Sequence, residues 1–168
     1  QFHHKDLTFS LMYAFSENFV LPISHDEVVY MKGSLRGKMP GDEWRQLAGV
    51  RSFMVYMLTH PGKKLTFMGS EFGQFIEWNY KQGLDWLLLG YEKHQKMQHF
   101  VRTLNHFYLE NRCFWENDSD WDGFRWLNVD DRDRSSVAFL RSSEKDESYL
   151  VCVCNFTPVR YDDFVIGL

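Results

Sequence analysis

The sequence lacks several features that would place it in a specialised class of protein. No apolar run approaches the ~20 residues that a membrane-spanning helix needs, so we expect no membrane partner. The chain opens on Gln1 without an initiator methionine and without a basic and apolar leader. We therefore expect no secretion signal, and we expect the chain to be a piece of a longer protein.

Basic stripes and paired cysteines are also missing. The net charge is -4 with no clustered Lys or Arg, which argues against nucleic acid as a partner. Three cysteines, an odd number, do not form a disulfide framework. Cys152 and Cys154 stand two apart, on one face of a predicted strand, and we expect them to be buried thiols in a reducing compartment. No group of His, Cys and acidic residues has metal-ligand spacing, so no metal site is predicted.

The composition is that of an ordinary globular domain, with 44% hydrophobic and 25% charged residues. Aromatic residues make up 17% of the chain and include six Trp. Aromatic rings pack protein cores, and they also stack on the apolar faces of sugars. The composition does not separate these two uses.

Residues 5–110 alternate between helical and strand patterns. This order is typical of parallel βα units, and two strands alone do not make a sheet that is covered on both faces. The predicted elements are a helix over Leu7–Phe15 capped by Asp6, a strand at Phe19–Ile23, a helix opened by Gly41 or Asp42 and stopped by Pro61-Gly62, a strand at Lys64–Met68, and a helix at roughly Glu92–Glu110. On the second helix, Trp44, Leu47, Met54, Val55 and Leu58 are expected to share one face; on the third, Met97, Val101, Leu104 and Tyr108 are.

The pattern changes after Arg112. Short apolar runs, separated by turn residues, predict an antiparallel β module. The predicted strands are Phe124–Val129, Ser136–Arg141, Tyr149–Asn155 and Asp163–Ile166.

The first strand ends in polar residues that are suited to chemistry. The apolar run Phe19–Ile23 is continuous, as in a strand buried on both faces, and it is followed directly by Ser24, His25, Asp26 and Glu27. An imidazole and two carboxylates at the carboxyl end of a barrel strand are candidates for catalysis. A polar loop with an incidental histidine is the alternative.

Residues 21–29, LPISHDEVV, resemble the fourth signature region of the α-amylase clan of glycoside hydrolases and transglycosylases (glycoside hydrolase family 13). The continuation in residues 32–35, KGSL, and 38–42, KMPGD, narrows the resemblance to the family of bacterial 1,4-α-glucan (glycogen) branching enzymes. Residues 67–74, FMGSEFGQ, are similar to the last strand rim of that family. Residues 123–126, GFRW, and 154–158, CNFTP, are similar to its C-terminal β-domain.

The resemblance implies a fold and a domain division. We expect the last βα units of a (β/α)8 TIM barrel in residues 1–112 and part of a C-terminal antiparallel β-sandwich domain in residues 113–168. The fold class is therefore α/β plus all-β. The parent enzyme is expected in the bacterial cytoplasm, without a metal or organic cofactor.

The resemblance also implies roles for particular residues. Asp26 is expected to stabilise the transition state, and His25 to hydrogen-bond the same sugar. Glu27 is assigned no chemical step. Glu71 is expected to bind sugar or, preferably, to brace the rim, and Trp78 to stack on glucose or to pack structurally. The nucleophilic Asp and general-acid Glu motifs of the family are not found in this sequence.

The implied function is cleavage of an α-1,4 glucan and transfer of the cut segment to a 6-hydroxyl, which makes the α-1,6 branches of glycogen. Since two of the three catalytic carboxylates are not found, the isolated segment is expected to be inactive. Two alternatives stay open: another α-amylase-clan glucan hydrolase, and a non-catalytic glucan-binding segment. No nucleic acid or membrane partner is expected beside the glucan.

The sequence departs from the family's pattern at Tyr30-Met31, where His-Gly is usual before Lys32. This loop is expected near the glucan. We therefore hypothesise that Tyr30 and Met31 alter the preference for acceptor or chain length.

Overall fold

The computed structural model describes residues 3–16 and 20–168, which divide into two compact units. We call one the sheet unit; it comprises residues 3–16 and 20, Leu58–Lys63 and Tyr108–Leu168. The other, the helix unit, comprises Leu21–Met57 and Lys64–Phe107. The domain boundary predicted after Arg112 stays a prediction.

The described elements follow the predicted order of helices and strands. The elements are α1 (Asp6–Phe9), β1 (Val20–Pro22), α2 (Glu43–Thr59), β2 (Lys63–Leu65), α3 (Glu92–Glu110), β3 (Phe124–Asp131), β4 (Ser136–Ser143) and β5 (Ser148–Asn155). A two-stranded sheet pairs β1 with β2, and a three-stranded sheet has the order β3-β4-β5. Among the described residues, no helix combines the length and the apolarity needed to cross a bilayer.

The helix α2 begins and ends where the sequence predicts. The Asp42 carboxylate accepts the Arg45 N–H at 2.9 Å, which satisfies a donor that the first turn leaves unpaired. The helix ends at Thr59, before Pro61-Gly62. Its buried face includes Leu47, Val50 and Met54.

The placement of Trp44 on that buried face was wrong. Its side chain is 64% exposed. At ~100° per residue, Trp44 lies roughly 90° around the helix from the centre of the buried face, so the ring points away from it. Val55, on the same flank, is only half-buried.

The helix α3 spans the predicted residues without change. Met97 and Val101 are buried, as expected, whereas Leu104 and Tyr108 are half-buried. His94 is buried on the same helix, and its Nδ1 lies 2.7 Å from the Phe72 carbonyl oxygen.

The first helix and the first two strands are shorter than predicted. The helix α1 ends at Phe9 and tightens into a 3-10 turn at Ser10–Met12. Asp6 is its first residue rather than its cap, and Lys5, at the N-cap position, makes no capping hydrogen bond with its side chain. The strand β1 was expected to be buried on both faces, but Val20 and Pro22 are exposed; in the described part of the chain β1 pairs with β2 alone. The predicted strand start at Phe19 lies outside the described residues. The predicted strand at Lys64–Met68 runs instead from Lys63 to Leu65.

The antiparallel β module is confirmed. The strand β4 pairs with β3 on one side and with β5 on the other, both antiparallel. On one face of this sheet, Val137 and Phe139 are buried opposite Cys154 and Cys152. The predicted fourth strand at Asp163–Ile166 was wrong, because this segment forms no strand in the structure.

The interior of the sheet unit contains a charged side chain. Arg141, on β4, has no exposed surface. Its guanidinium donates to the Asp118 carboxylate at 2.9 Å and to the carbonyl oxygens of Thr59, Phe114, Asn117 and Gly123 at 2.9 to 3.3 Å. The positive charge is thus paired, and several loop carbonyls receive their hydrogen bonds from one side chain.

Replacing Arg141 with Met is expected to lower the free energy of unfolding by roughly 3–5 kcal/mol, because it leaves Asp118 and the carbonyls without their donor. Urea denaturation of the variant and of the unsubstituted protein measures this loss. Arg125→Met, at an exposed arginine of β3, is the matched control and should cost much less. Equal midpoints for Arg141→Met and the parent would contradict this account.

The three cysteines are free and buried. Burial raises the pKa of the Cys152 thiol to about 11 and that of Cys154 to about 12. The thiolate is the reactive form, so both groups are expected to be inert near neutral pH.

We accordingly expect Cys152 and Cys154 to resist alkylation by iodoacetamide at pH 8 and to react once urea unfolds the chain. Mass spectrometry of tryptic peptides before and after denaturation measures the labelled fraction. Complete labelling of either residue in the folded protein would show that the thiols are accessible.

Candidate functional site

The residues that follow β1 form a tight turn. His25, Asp26 and Glu27 make a single 3-10 turn with Ser24 at its N-cap. The Ser24 hydroxyl accepts the Asp26 N–H at 3.2 Å, and a Glu27 carboxylate oxygen accepts the Ser24 N–H at 2.6 Å and its hydroxyl at 2.9 Å. This is a capping box. It determines the orientation of the two residues between its partners.

His25 and Asp26 are therefore held side by side at the protein surface. The Nε2 atom of His25 lies 3.3 Å from Oδ1 of Asp26, and the two side chains are 54% and 63% exposed. A carboxylate and an imidazole in contact, both open to solvent, are available to hydrogen-bond a polyhydroxylated ligand.

The main chain of Asp26 is anchored separately from its carboxylate. The ammonium of Lys32 donates to the Asp26 carbonyl oxygen at 2.7 Å. Lys38 in turn donates to the Lys32 carbonyl oxygen at 2.8 Å. These two bonds connect the loop after the turn to the backbone of Asp26.

A second segment, after β2, is attached to the same loop. Both oxygens of the Glu77 carboxylate accept backbone N–H groups: Met31 donates to Oε1 at 3.1 Å and Gly33 to Oε2 at 2.8 Å. The Trp78 N–H donates to the Val28 carbonyl oxygen at 3.1 Å. The structure thus joins the polar residues that follow β1 to those that follow β2.

Trp78 packs beside this junction. Its ring contacts Phe67 edge to face, with centroids 5.2 Å apart, and the Phe67 ring lies 6.4 Å from that of His25. Trp78 also lines a small cavity of about 10 Å³, which has room for about one water molecule. The half-buried indole is therefore used, at least in part, for packing.

Glu71 lies in a separate 3-10 turn, Ser70–Phe72. Its carboxylate accepts the Gly69 N–H at 2.7 Å. Gly69 and Gly73 flank the turn with φ angles of 91° and 68°, a conformation that glycine adopts readily. This local bond supports the bracing role for Glu71.

Three residues of the site were not predicted from the sequence. The capping role of Ser24 had a detectable signal, the Ser-x-x-Glu spacing that ends at Glu27. No sequence pattern predicted the hydrogen bond from the Lys32 ammonium to the Asp26 carbonyl oxygen. Glu77 had no signal either, because its partners lie more than forty positions earlier in the chain. In the part of the chain that the structure describes, no group of three or more His, Cys, Asp or Glu side chains is placed to hold a metal ion.

Part of the sheet unit is similar to a known protein family. Residues 126–168 match the family described as the alpha amylase C-terminal all-beta domain. This match agrees with the antiparallel strands β3, β4 and β5 and relates this part of the chain to α-amylase-type proteins.

Individual relatives of one kind are similar to the whole chain. The chain is 55% identical over 168 residues to a 1,4-alpha-glucan branching enzyme GlgB of Halothermothrix orenii, 52% identical over 169 residues to one of Clostridium perfringens, and 50% identical over 168 residues to one of Aquifex aeolicus. Each comparison covers the whole of this chain and 27%, 25% and 27% of the relative. The chain thus spans about a quarter of the length of these branching enzymes, and the resemblance to them is confirmed along all of its residues.

The capping box makes a prediction about pH. Burial acts to raise the pKa of Glu27, but the hydrogen bonds from Ser24 outweigh it and hold that pKa below its ordinary value of 4.5. A carboxyl group with a lowered pKa stabilises the fold above its ordinary value, and this contribution is lost as the pH falls through the lowered pKa. Acid should therefore release the His25–Glu27 turn.

Glu27→Gln is expected to cost roughly 0.5 kcal/mol at pH 7, the lower end for a capping group since Glu27 is exposed. The difference between variant and parent should shrink below pH 4.5. The free energies of unfolding of the variant and the unsubstituted protein, at pH 7 and at a pH below 4.5, measure this difference. Glu144→Gln, at another exposed glutamate, is the control. A carboxyl titration by NMR that gives Glu27 a pKa above 4.5 would refute the capping account.

Proposed function

We propose that this chain is a segment of a 1,4-α-glucan branching enzyme. The parent cleaves an α-1,4 glucan and transfers the cut segment to a 6-hydroxyl, so that an α-1,6 branch of glycogen forms. The observation that carries this proposal is identity of 50 to 55% to branching enzymes along the whole chain, together with an exposed His25–Asp26 pair at the expected position.

The geometry and charge of Asp26 support the role that the resemblance implies for it. Cleavage of a glycosidic bond develops positive charge on the sugar ring, in an oxocarbenium-like transition state. A fixed carboxylate beside the ring stabilises that charge and accepts hydrogen bonds from ring hydroxyls. His25, in contact with Asp26, holds a hydroxyl of the same sugar. The capping box and Lys32 support this role because they fix the backbone that carries both side chains.

The remaining chemistry belongs to other parts of the parent. A retaining mechanism needs a nucleophile and an acid, and it passes through a covalent glycosyl-enzyme intermediate; in the proposed parent this is a glycosyl-aspartate. Neither motif is found in this sequence, so the isolated segment is inactive. In the parent, the 6-hydroxyl of a sugar, rather than water, attacks the covalent intermediate and receives the cut segment.

The proposed fold of the parent is a (β/α)8 barrel, of which β1, α2, β2 and α3 are the last βα units. Active sites of such barrels lie at the carboxyl ends of the strands. His25 and Asp26 follow β1, and Glu71 and Trp78 follow β2, which supports this arrangement. Glu71 braces the rim, and Trp78 packs beside the site or stacks on glucose. We place the parent in the bacterial cytoplasm.

In the complete enzyme, Asp26→Asn is expected to lower the rate at least ~1000-fold without unfolding the protein, because it removes the charge that faces the transition state. Counting the chains released by a debranching enzyme measures branch formation. Asp130→Asn, at an exposed aspartate in β3, is the control. Unchanged turnover of Asp26→Asn would refute the stabilising role.

The same assay separates transfer from hydrolysis. Under transfer, iodine colour falls while reducing ends barely change; under hydrolysis both change. A steady rise in reducing ends would identify a glucan hydrolase. Retarded migration in a glycogen-containing gel without any turnover would leave a glucan-binding segment.

A further inference from the structure

A turn beside the site has an unusual backbone. The Lys32 N–H donates to the Val29 carbonyl oxygen at 3.2 Å, and the two central residues, Tyr30 and Met31, have φ angles of 58° and 68°. Two successive positive φ angles define a type I′ turn, in which Asn and Gly are preferred at these positions. We call residues 29–32 the Tyr30 turn. Its two central residues are poorly suited to the conformation that they adopt.

The side chains of the Tyr30 turn do not stabilise it by packing. Tyr30 is 80% exposed and Met31 is 97% exposed. The hydrogen bonds from Met31 N–H and Gly33 N–H to the two oxygens of Glu77 act on the main chain on either side of Lys32. A charged acceptor makes strong bonds of this kind, so Glu77 compensates for the backbone strain.

The Tyr30 turn is hydrogen-bonded to the backbone of Asp26. Lys32, its last residue, donates its ammonium to the Asp26 carbonyl oxygen. Val28, just before the turn, accepts the Trp78 N–H. A change in the Tyr30 turn therefore acts on the loop that carries His25 and Asp26.

We propose that Glu77 is a positioning residue that holds the Tyr30 turn, and that the turn presents the Tyr30 ring as a contact for the glucan chain. The ring has an apolar face and a polar hydroxyl; the face covers the C–H face of a glucose unit, and the hydroxyl meets its hydroxyl groups. The inference rests on the proposed function. It adds Tyr30 and Glu77 as residues that determine which part of a glucan chain is bound.

The test uses the complete enzyme with Glu77→Gln and, separately, Tyr30→Ala. Gln keeps the size of Glu77 but replaces one acceptor oxygen with an N–H donor, so only one of the two backbone bonds survives. We expect both variants to raise KM for long glucans by about fivefold and to shift the distribution of branch lengths in the same direction. Tyr30→Ala, which keeps the backbone contacts of the turn, should leave kcat within about twofold. The double variant should add little to either single one.

Met31→Gly separates positioning from general stability. Glycine adopts a positive φ without strain, so the Tyr30 turn then needs Glu77 less. Adding Met31→Gly to Glu77→Gln should restore the branch-length distribution of the unsubstituted enzyme. No such restoration is expected if Glu77→Gln acts only by making the whole protein less stable. Glu92→Gln, at an exposed glutamate of α3, is the matched control and should leave KM and branch lengths unchanged.

Migration in glycogen-containing gels provides a readout that does not depend on turnover; Tyr30→Ala and Glu77→Gln should both be retarded less than the parent. Unchanged KM, branch lengths and migration in Tyr30→Ala, whose exposed ring is not needed for folding, would overturn the inference while leaving branching itself intact. Failure of the parent to form branches would overturn the proposed function, and the gel would still decide whether the Tyr30 turn contacts glucan.

Discussion

The guanidinium of Arg141 is enclosed in the sheet unit, where Asp118 balances its charge and four main-chain carbonyl groups accept its hydrogen bonds. A buried charge is tolerated only when such partners surround it. The helix end at Thr59 and the 3-10 turns that contain Phe114 and Gly123 are consequently held at positions that satisfy one rigid, planar group.

The candidate site in the helix unit is organised in a related way, by polar groups that bind main-chain atoms. Ser24 and Glu27 close the turn that carries His25 and Asp26, and Lys32 and Glu77 anchor the loop that follows. These contacts use the backbone and leave the side chains of His25 and Asp26 open to solvent. An exposed pair with a fixed backbone is suited to a ligand that is itself rich in hydroxyl groups.

Local patterns predicted the regular elements well and their irregular surroundings less well. The helix at Glu92–Glu110 was predicted with approximate bounds, because its apolar side chains recur at helical spacing. The three strands of the β module followed from short apolar runs separated by turn residues. Trp44 was misplaced because membership of a helical face was judged from spacing alone, and the segment Asp163–Ile166 has the composition of a strand without pairing as one.

By itself the sequence determined the two long helices α2 and α3, the three strands of the antiparallel module and the motif around Asp26, because these depend on residue types at short spacings along the chain. The tertiary structure decided what Arg141 and Glu77 contact, since hydrogen-bond partners 18 to 82 and 44 to 46 positions away leave no local pattern. It also decided the left-handed backbone of Tyr30 and Met31, which local preferences oppose and which the carboxylate of Glu77 offsets.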